Sequence, residues 1–350
     1  MTGPNMIPAA PFEALQRTAK NHSSAATAGE YMSQIHRLLS ESLPALEAVL
    51  EQTCRRGLAP LDAAAEQLVL AGGKRVRPLA TLLVTRACGG DAAQVIPLAA
   101  SVELIHSATL LHDDVIDEGE ERRGRPASRV LWGNLVSVLS GDLLLTSALE
   151  LVQSSGVAGA LADTLATMQR LIAGEVAQLK ARGREDLGID GYLEIVRGKT
   201  AALFANACRA GARVAGVDAG VIEAMGRFGE RVGIAFQIVD DVLDLEGIPH
   251  EVGKRLGHDL AEGKTTLPLA LALEQDAANL RPLLISARAG DTLAAARVSQ
   301  APSVRKACQQ ARSFALRETE LGLEQLHVLG PSEERDLLVL LVRGLIDRRA

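Results

Sequence analysis

Two long apolar runs in this chain end in the same acidic signature, and this repetition constrains the fold more than any other feature. The first reads Leu110-Leu111-His112-Asp113-Asp114-Val115-Ile116-Asp117 and the second Asp240-Asp241-Val242-Leu243-Asp244. In a helix, residues i and i+4 share a face, about 6 Å apart along the axis. Asp113 and Asp117 are therefore paired, and so are Asp240 and Asp244. Neighbouring carboxylates repel and shift each other's pKa unless a cation sits between them. Such a pair suits Mg²⁺, which accepts few protein carboxylates and fills its shell with water and phosphate oxygens. One acidic pair on a helix is usually a solvated face. Two, each closing an apolar run, suggest helices that face one another across a bundle cavity with carboxylates for a cluster of Mg²⁺ ions.

The composition agrees with a helical answer. The chain has 350 residues, 47% hydrophobic but only 2% aromatic, so closely packed helices are favoured over a β-sandwich. A net charge of −6 leaves no general basic surface for nucleic acid. Cys54, Cys88, Cys208 and Cys308 are too scattered for a thiolate metal site or a disulfide framework and read as reduced, buried thiols.

Taken in order, residues 1–28 carry Pro4, Pro8, Pro11 and a Ser/Ala cluster, and read as a mobile arm. Glu13 argues against a transit peptide, and no basic-then-apolar signal peptide opens the chain. Residues 29–350 read as one all-α domain of ten or more helices. Tyr31, Ile35, Leu38, Leu39, Leu43, Leu46 and Leu50 recur at helical spacing, with Pro44 kinking or dividing the run. Further helices are expected at 61–71, 79–88, 97–117, from Ser128 through 153, 158–182, 190–215, 219–245, from Leu267, and at 303–328 and 332–347. Residues 118–127 read as a charged loop. No run of eighteen or more apolar residues suggests a transmembrane helix, and a cytoplasmic location is expected.

Cations surround the two acidic motifs in sequence. Gly72-Gly73-Lys74-Arg75-Val76-Arg77-Pro78 places three of them in four residues, more than a helix C-cap needs. Arg122 and Arg123 follow Asp117, and Lys199, Lys254 and Lys264 flank the second motif. Carboxylates and cations at this density describe a site for two diphosphates, one bridging metals and one resting on Lys and Arg.

The motifs GGKRVRP, LLHDDVIDEGEERRGRP, GKTAALF, FQIVDDVLD and GKRLGHDLAEGKTTLPL, in this order, resemble the trans-isoprenyl diphosphate synthase (polyprenyl synthetase) family from about Leu39 to Arg349. The resemblance implies an all-helical fold around a deep central cavity, a homodimer, and head-to-tail condensation of isopentenyl diphosphate with an allylic prenyl diphosphate. It implies about three Mg²⁺ ions per site, held by Asp113, Asp117, Asp240 and Asp244 with support from Asp114 and Asp241. Arg122, Lys199, Thr200, Gln237 and Lys264 would contact the allylic diphosphate, and Lys254 would approach it. Lys74, Arg77, His106 and Arg123 would hold isopentenyl diphosphate. Arg348 and Arg349 resemble a basic end that closes over the site. Ionisation of the allylic diphosphate would be followed by attack of the isopentenyl double bond and proton loss to the departing diphosphate. Thr200 and Gln237 would stabilise the cation with their oxygen dipoles.

In the family, short-chain members place an aromatic floor four or five residues before the first motif. Here those positions are Thr109 and Ala108, both small, and Leu104, Leu111, Leu145, Ala148 and Leu149 would extend an apolar tunnel. The expectation is a long product, around octaprenyl, for a quinone side chain, handed on to a membrane. The alternatives are geranylgeranyl or farnesyl diphosphate, or a subunit role in a heteromeric synthase. A terpene cyclase needs aromatics and one acidic motif, which this chain contradicts. A metal-dependent phosphohydrolase built on His106 and His112 lacks further ligands at suitable places.

Overall fold

The computed structural model describes residues 42–73, 75–246 and 258–346. Its elements are nearly all helices: α1 (42–54), α2 (Leu61–Val69), α3 (Val76–Ala87), α4 (Ala92–Ile116), α5 (Ser128–Ser154), α6 (Ala160–Ala181), α7 (Gly188–Val196), α8 (Ala202–Val214), α9 (Ala219–Glu246), α10 (His258–Ala261), α11 (Leu267–Arg288), α12 (Thr292–Gln300), α13 (Pro302–Glu324) and α14 (Glu333–Ile346). A π-helical turn, Arg197–Ala201, joins α7 to α8. Between α4 and α5, where a loop was expected, two short strands form a hairpin, β1 (Glu121–Arg122) and β2 (Arg125–Pro126). The N-terminal arm at 1–28 lies outside the described residues.

The chain's contacts group into two compact units. The first comprises Met1–Ala166, Leu203–Gly229 and Gln325–Gly344, and the second Thr167–Ala202, Glu230–Glu324 and Leu345–Ala350. Each carries one of the acidic motifs. In the first, Leu46, Leu50, Leu82, Leu83, Leu104 and Phe204 are fully buried. In the second, Leu193, Ile234, Ile238, Leu267, Leu284 and Val298 belong to one apolar core.

Local chemistry explains the element boundaries. α4 starts five residues earlier than its apolar pattern suggests, because Asp91 caps it by accepting from Ala93 N at 2.9 Å. Pro97 is tolerated inside it at the loss of one backbone hydrogen bond. α5 bends where Gly133 takes φ 84°, which a side chain would resist. Its buried face, Ser137, Ser140, Gly141, Leu144, Ser147 and Ala148, is almost all small, so helices can pack closely there. α12 was missed by periodicity. Asp291, accepting from Leu293 N and Ala294 N, starts it.

By length and composition alone, α4 and α5 are apolar enough to cross a membrane, although neither holds an unbroken run of eighteen apolar residues. α4 is mostly buried, as a core helix is, whereas α5 keeps an exposed apolar side. Along it Leu131, Leu135, Val138 and Leu139 are exposed, Leu135 at 72%.

Candidate active site

In the first unit the site grows from the end of α4. Asp117 is the helix's C-cap, so Asp113 and Asp117 stand one turn apart at its terminus, both half-buried. Asp114 between them is turned inward and buried. Its Oδ1 accepts from Arg122 Nε at 2.9 Å and Nη2 at 2.5 Å. Gly119 N returns to Asp114 O at 2.9 Å. These bonds tie the hairpin to the helix end.

The hairpin turns on Arg123 and Gly124, both with positive φ (54° and 70°), as a tight two-residue connection requires. Arg123 Nη1 donates to Leu68 O at 3.0 Å and Gly72 O at 2.8 Å. It therefore serves the carbonyls at the end of α2, where a cation is favoured. Residues 118–127 read as a charged loop of three glutamates and three arginines, and the signal for the turn lay in Gly124.

His112 is seated against α5. Its Nε2 lies 3.1 Å from Val138 O, in a notch where a Cβ on Gly141 would come within 2.2 Å of the ring. Asp142 Oδ1 stands 3.5 Å from the same nitrogen.

His106, two turns before Asp113, is held well below the usual histidine pKa by burial first, then by the charges of Arg77, Arg123, Arg122 and Arg75. A neutral imidazole among four guanidinium groups marks a region of positive potential suited to an anion. The four are not equivalent. Arg75, not singled out from sequence as a ligand, is buried at φ 45° as the cap of α3. It donates to Glu47 at 2.7 and 2.8 Å, to Glu103 at 2.7 Å and to Val69 O at 2.7 Å. Its charge is consumed within the fold. Arg77 stacks on Phe204, 4.6 Å from the ring centroid.

Ala108 and Thr109 differ in what they face. Ala108 is fully enclosed, as are Leu104, Leu111 and Ala148, whereas Thr109, Leu145 and Leu149 are half-buried. Thr109 Oγ1 donates to His106 O at 2.8 Å.

In the second unit the π-helical turn carries Lys199 and Thr200. Its backbone touches α6: a Cβ on Gly174 would stand 2.5 Å from Lys199 N and 2.8 Å from the Gly198 carbonyl carbon. Lys199 Nζ pairs with Glu175 Oε2 at 2.5 Å. Thr200 Oγ1 donates to Gln237 Oε1 at 2.8 Å, and Gln237 Nε2 donates to Asp241 Oδ1 at 2.8 Å. Tyr192 donates to Asp241 Oδ2 at 2.6 Å. This relay fixes the Gln237 amide and hence the direction of the Thr200 hydroxyl. Burial, and then the charge of Asp259, push the Asp241 carboxyl well above its ordinary range, against the bonds from Tyr192 and Gln237. Tyr192 and Glu175 were missed, because neither sits in a motif and Tyr192 lies 49 residues from its partner.

Asp240 is half-buried and Asp244 buried, its Oδ2 accepting from Asp259 N at 3.2 Å. Lys264 Nζ pairs with Glu262 and approaches Asp259 Oδ1 at 3.5 Å. Lys74, Lys254, Arg348 and Arg349 lie outside the described residues.

Among the described residues no group of three His, Cys, Asp or Glu could by itself cage a metal. The donors present are hard carboxylate oxygens in pairs. That set fits Mg²⁺, which binds through one or two carboxylates plus substrate phosphate and keeps its waters, and does not fit Zn²⁺.

The polyprenyl synthetase family pattern matches residues 59–302. A short chain isoprenyl diphosphate synthase of Methanothermobacter thermautotrophicus is 37% identical over 81% of this chain and 89% of its own length. An all-trans-nonaprenyl-diphosphate synthase (geranyl-diphosphate specific) of Rhodobacter capsulatus is 36% identical over 89% of this chain and 96% of its own. Among solved structures, a polyprenyl synthase from Caulobacter crescentus CB15, complexed with calcium and isoprenyl diphosphate, superposes with a TM-score of 0.84 at 36% identity. It covers 90% of this chain and 97% of that one.

Proposed function

The chain belongs to the polyprenyl synthetase family and is a prenyl diphosphate synthase, and from that premise we propose that it makes a long all-trans polyprenyl diphosphate, around octaprenyl, by adding isopentenyl diphosphate to an allylic primer. The observation that carries the site assignment is the joining of a paired-carboxylate helix end, Asp113 and Asp117, to a guanidinium cluster around a neutral His106.

Asp113, Asp117, Asp240 and Asp244 would hold Mg²⁺, which supplies charge neutralisation to a leaving diphosphate. Lys199 and Lys264 bind the allylic diphosphate, and Lys254 approaches it. Arg122 either contacts that diphosphate or, through Asp114, fixes the helix end that does. Arg77, Arg123, Lys74 and neutral His106 bind isopentenyl diphosphate. As the allylic C–O bond breaks, the Thr200 and Gln237 oxygens face the developing cation. The isopentenyl double bond attacks, and the proton passes to the departing diphosphate.

Similarity alone does not select product length, since a short-chain and a nonaprenyl enzyme are almost equally similar. The support for a long product is local: small side chains at Ala108 and Thr109, where an aromatic floor would stand. The exposed apolar side of α5 supports a homodimer, and the protein is read as acting in the cytoplasm. Incubation with isopentenyl diphosphate, Mg²⁺ and geranyl, farnesyl or geranylgeranyl diphosphate, followed by sizing of the dephosphorylated products, tests the reading. A ladder ending near eight isoprene units is expected. Elongation stopping at three or four units would replace the length assignment, and no elongation from any primer would overturn the reading.

A further inference from the structure

α6 brings more to the second unit than a packing surface. Gly174 lets its backbone meet the π-helical turn, and the two polar residues that follow on the same helix are left with unsatisfied atoms. Glu175 gives one oxygen to Lys199, but its other, Oε1, is buried with no hydrogen-bond partner among the described residues. Gln178, one turn beyond Gly174, has its Nε2 buried and equally without a partner. Buried polar atoms are almost always satisfied, and leaving one unsatisfied is costly. The carboxylate oxygen is an acceptor that no phosphate can satisfy, but Gln178 Nε2 is a donor on the helix face whose Glu175 holds the ammonium assigned to the allylic diphosphate, and a phosphate oxygen would complete it.

We propose that Gln178 is a binding residue whose amide donates to an oxygen of the bound allylic diphosphate, and that Glu175 is the positioning residue of Lys199. The inference rests on the prenyl diphosphate synthase reading and adds two residues to it. A lysine is a point charge on a flexible four-carbon stem, and holding it in one place loses rotamer entropy. The ion pair with Glu175, together with the rigid π turn beneath, holds the ammonium before substrate arrives. Gln178 then finds in the diphosphate the acceptor the fold withholds from it.

Two variants test this, each followed by KM for both substrates, kcat, and thermal stability with and without inorganic pyrophosphate and Mg²⁺. Gln178→Met keeps the side chain's volume and removes the unsatisfied donor. It is expected to raise KM for the allylic diphosphate roughly tenfold or more, the worth of one hydrogen bond to a charged oxygen. KM for isopentenyl diphosphate should stay unchanged, Tm without ligand should hold or rise, and the stabilisation by pyrophosphate should shrink. Glu175→Gln is expected to lower kcat and raise the allylic KM, with Glu175→Asp recovering part of the loss. A fall in Tm with allylic KM within twofold of wild type would make both residues structural and overturn the proposal. Should Gln178→Met not fold, Gln178→Leu serves in its place. Wild type that elongates while both variants match it sinks this inference alone, whereas wild type that neither elongates nor gains stability from pyrophosphate sinks the functional reading with it.

Discussion

At the scale of single residues, the basic run Gly72–Pro78 shows how cations that look alike in sequence come to differ in the fold. Three cations in four positions signal an anion site, and Arg77 does act on His106 within the guanidinium cluster. Arg75 does something else, because its partners Glu47 and Glu103, each 28 residues away, are carboxylates no local pattern connects to it. With Glu103 and Arg75 side chains only 3% and 2% exposed, removing Arg75 strands the Glu103 carboxylate. Arg75→Leu is expected to destabilise the protein by about 3–5 kcal/mol in urea unfolding, the cost of an uncompensated buried charge. His106 gives a pH signature. The folded state holds it neutral, while the unfolded chain protonates near 6.5. Its contribution is therefore complete above that value and is lost as pH falls below it, because the unfolded state then binds more protons. Stability measured from about pH 7 down to 5 should decline more steeply in wild type than in His106→Gln. Equal slopes would show that burial and the neighbouring cations do not hold the imidazole neutral.

At the scale of elements, most helices were legible from apolar periodicity, but the turn that matters to Lys199 was not. The sequence runs on from 190 to 215 as one helical pattern. In the structure the register slips by one residue across Arg197–Ala201. Such π turns recur at functional sites. The turn packs its backbone against Gly174, and a glycine in an unbroken helix gives no hint of which backbone it admits. Gly174→Ala would drive a methyl to 2.5 Å from Lys199 N, so one of the two backbones has to move. We expect a loss of about 1–3 kcal/mol, as for other overpacked contacts, with a larger fall in kcat than in stability-matched variants. Gly220→Ala, in the same kind of helix but with open space around it, is the control and should be neutral or mildly stabilising. Calorimetry and steady-state rates on the two variants decide it, and a Gly174→Ala enzyme as active and stable as the control would remove the π contact from the account.

At the scale of the whole molecule, periodicity finds an apolar helix face but not what covers it. α5 illustrates the difference. Its small residues, Ser137 to Ala148, are buried within the first unit, while Leu131, Leu135, Val138 and Leu139 stay exposed on the same helix. In the sequence all of these belong to one apolar stretch, because a core face and an interface face have the same chemistry. Exposed apolar side chains recurring along one helix suit an interaction surface. A second copy is the occupant that a homodimer requires, and a two-fold interface would set this stripe against itself. Leu135, 72% exposed at mid-stripe, is the residue to change. Leu135→Glu places two carboxylates against each other across such an interface, which costs association far more than it costs the fold of either copy. Sedimentation equilibrium should give wild type at twice the mass of one chain and Leu135→Glu at the mass of one, with circular dichroism unchanged. Wild type at the mass of one chain at micromolar concentration would leave the stripe for another partner, and a dimer that survives the substitution would place its interface elsewhere on the surface.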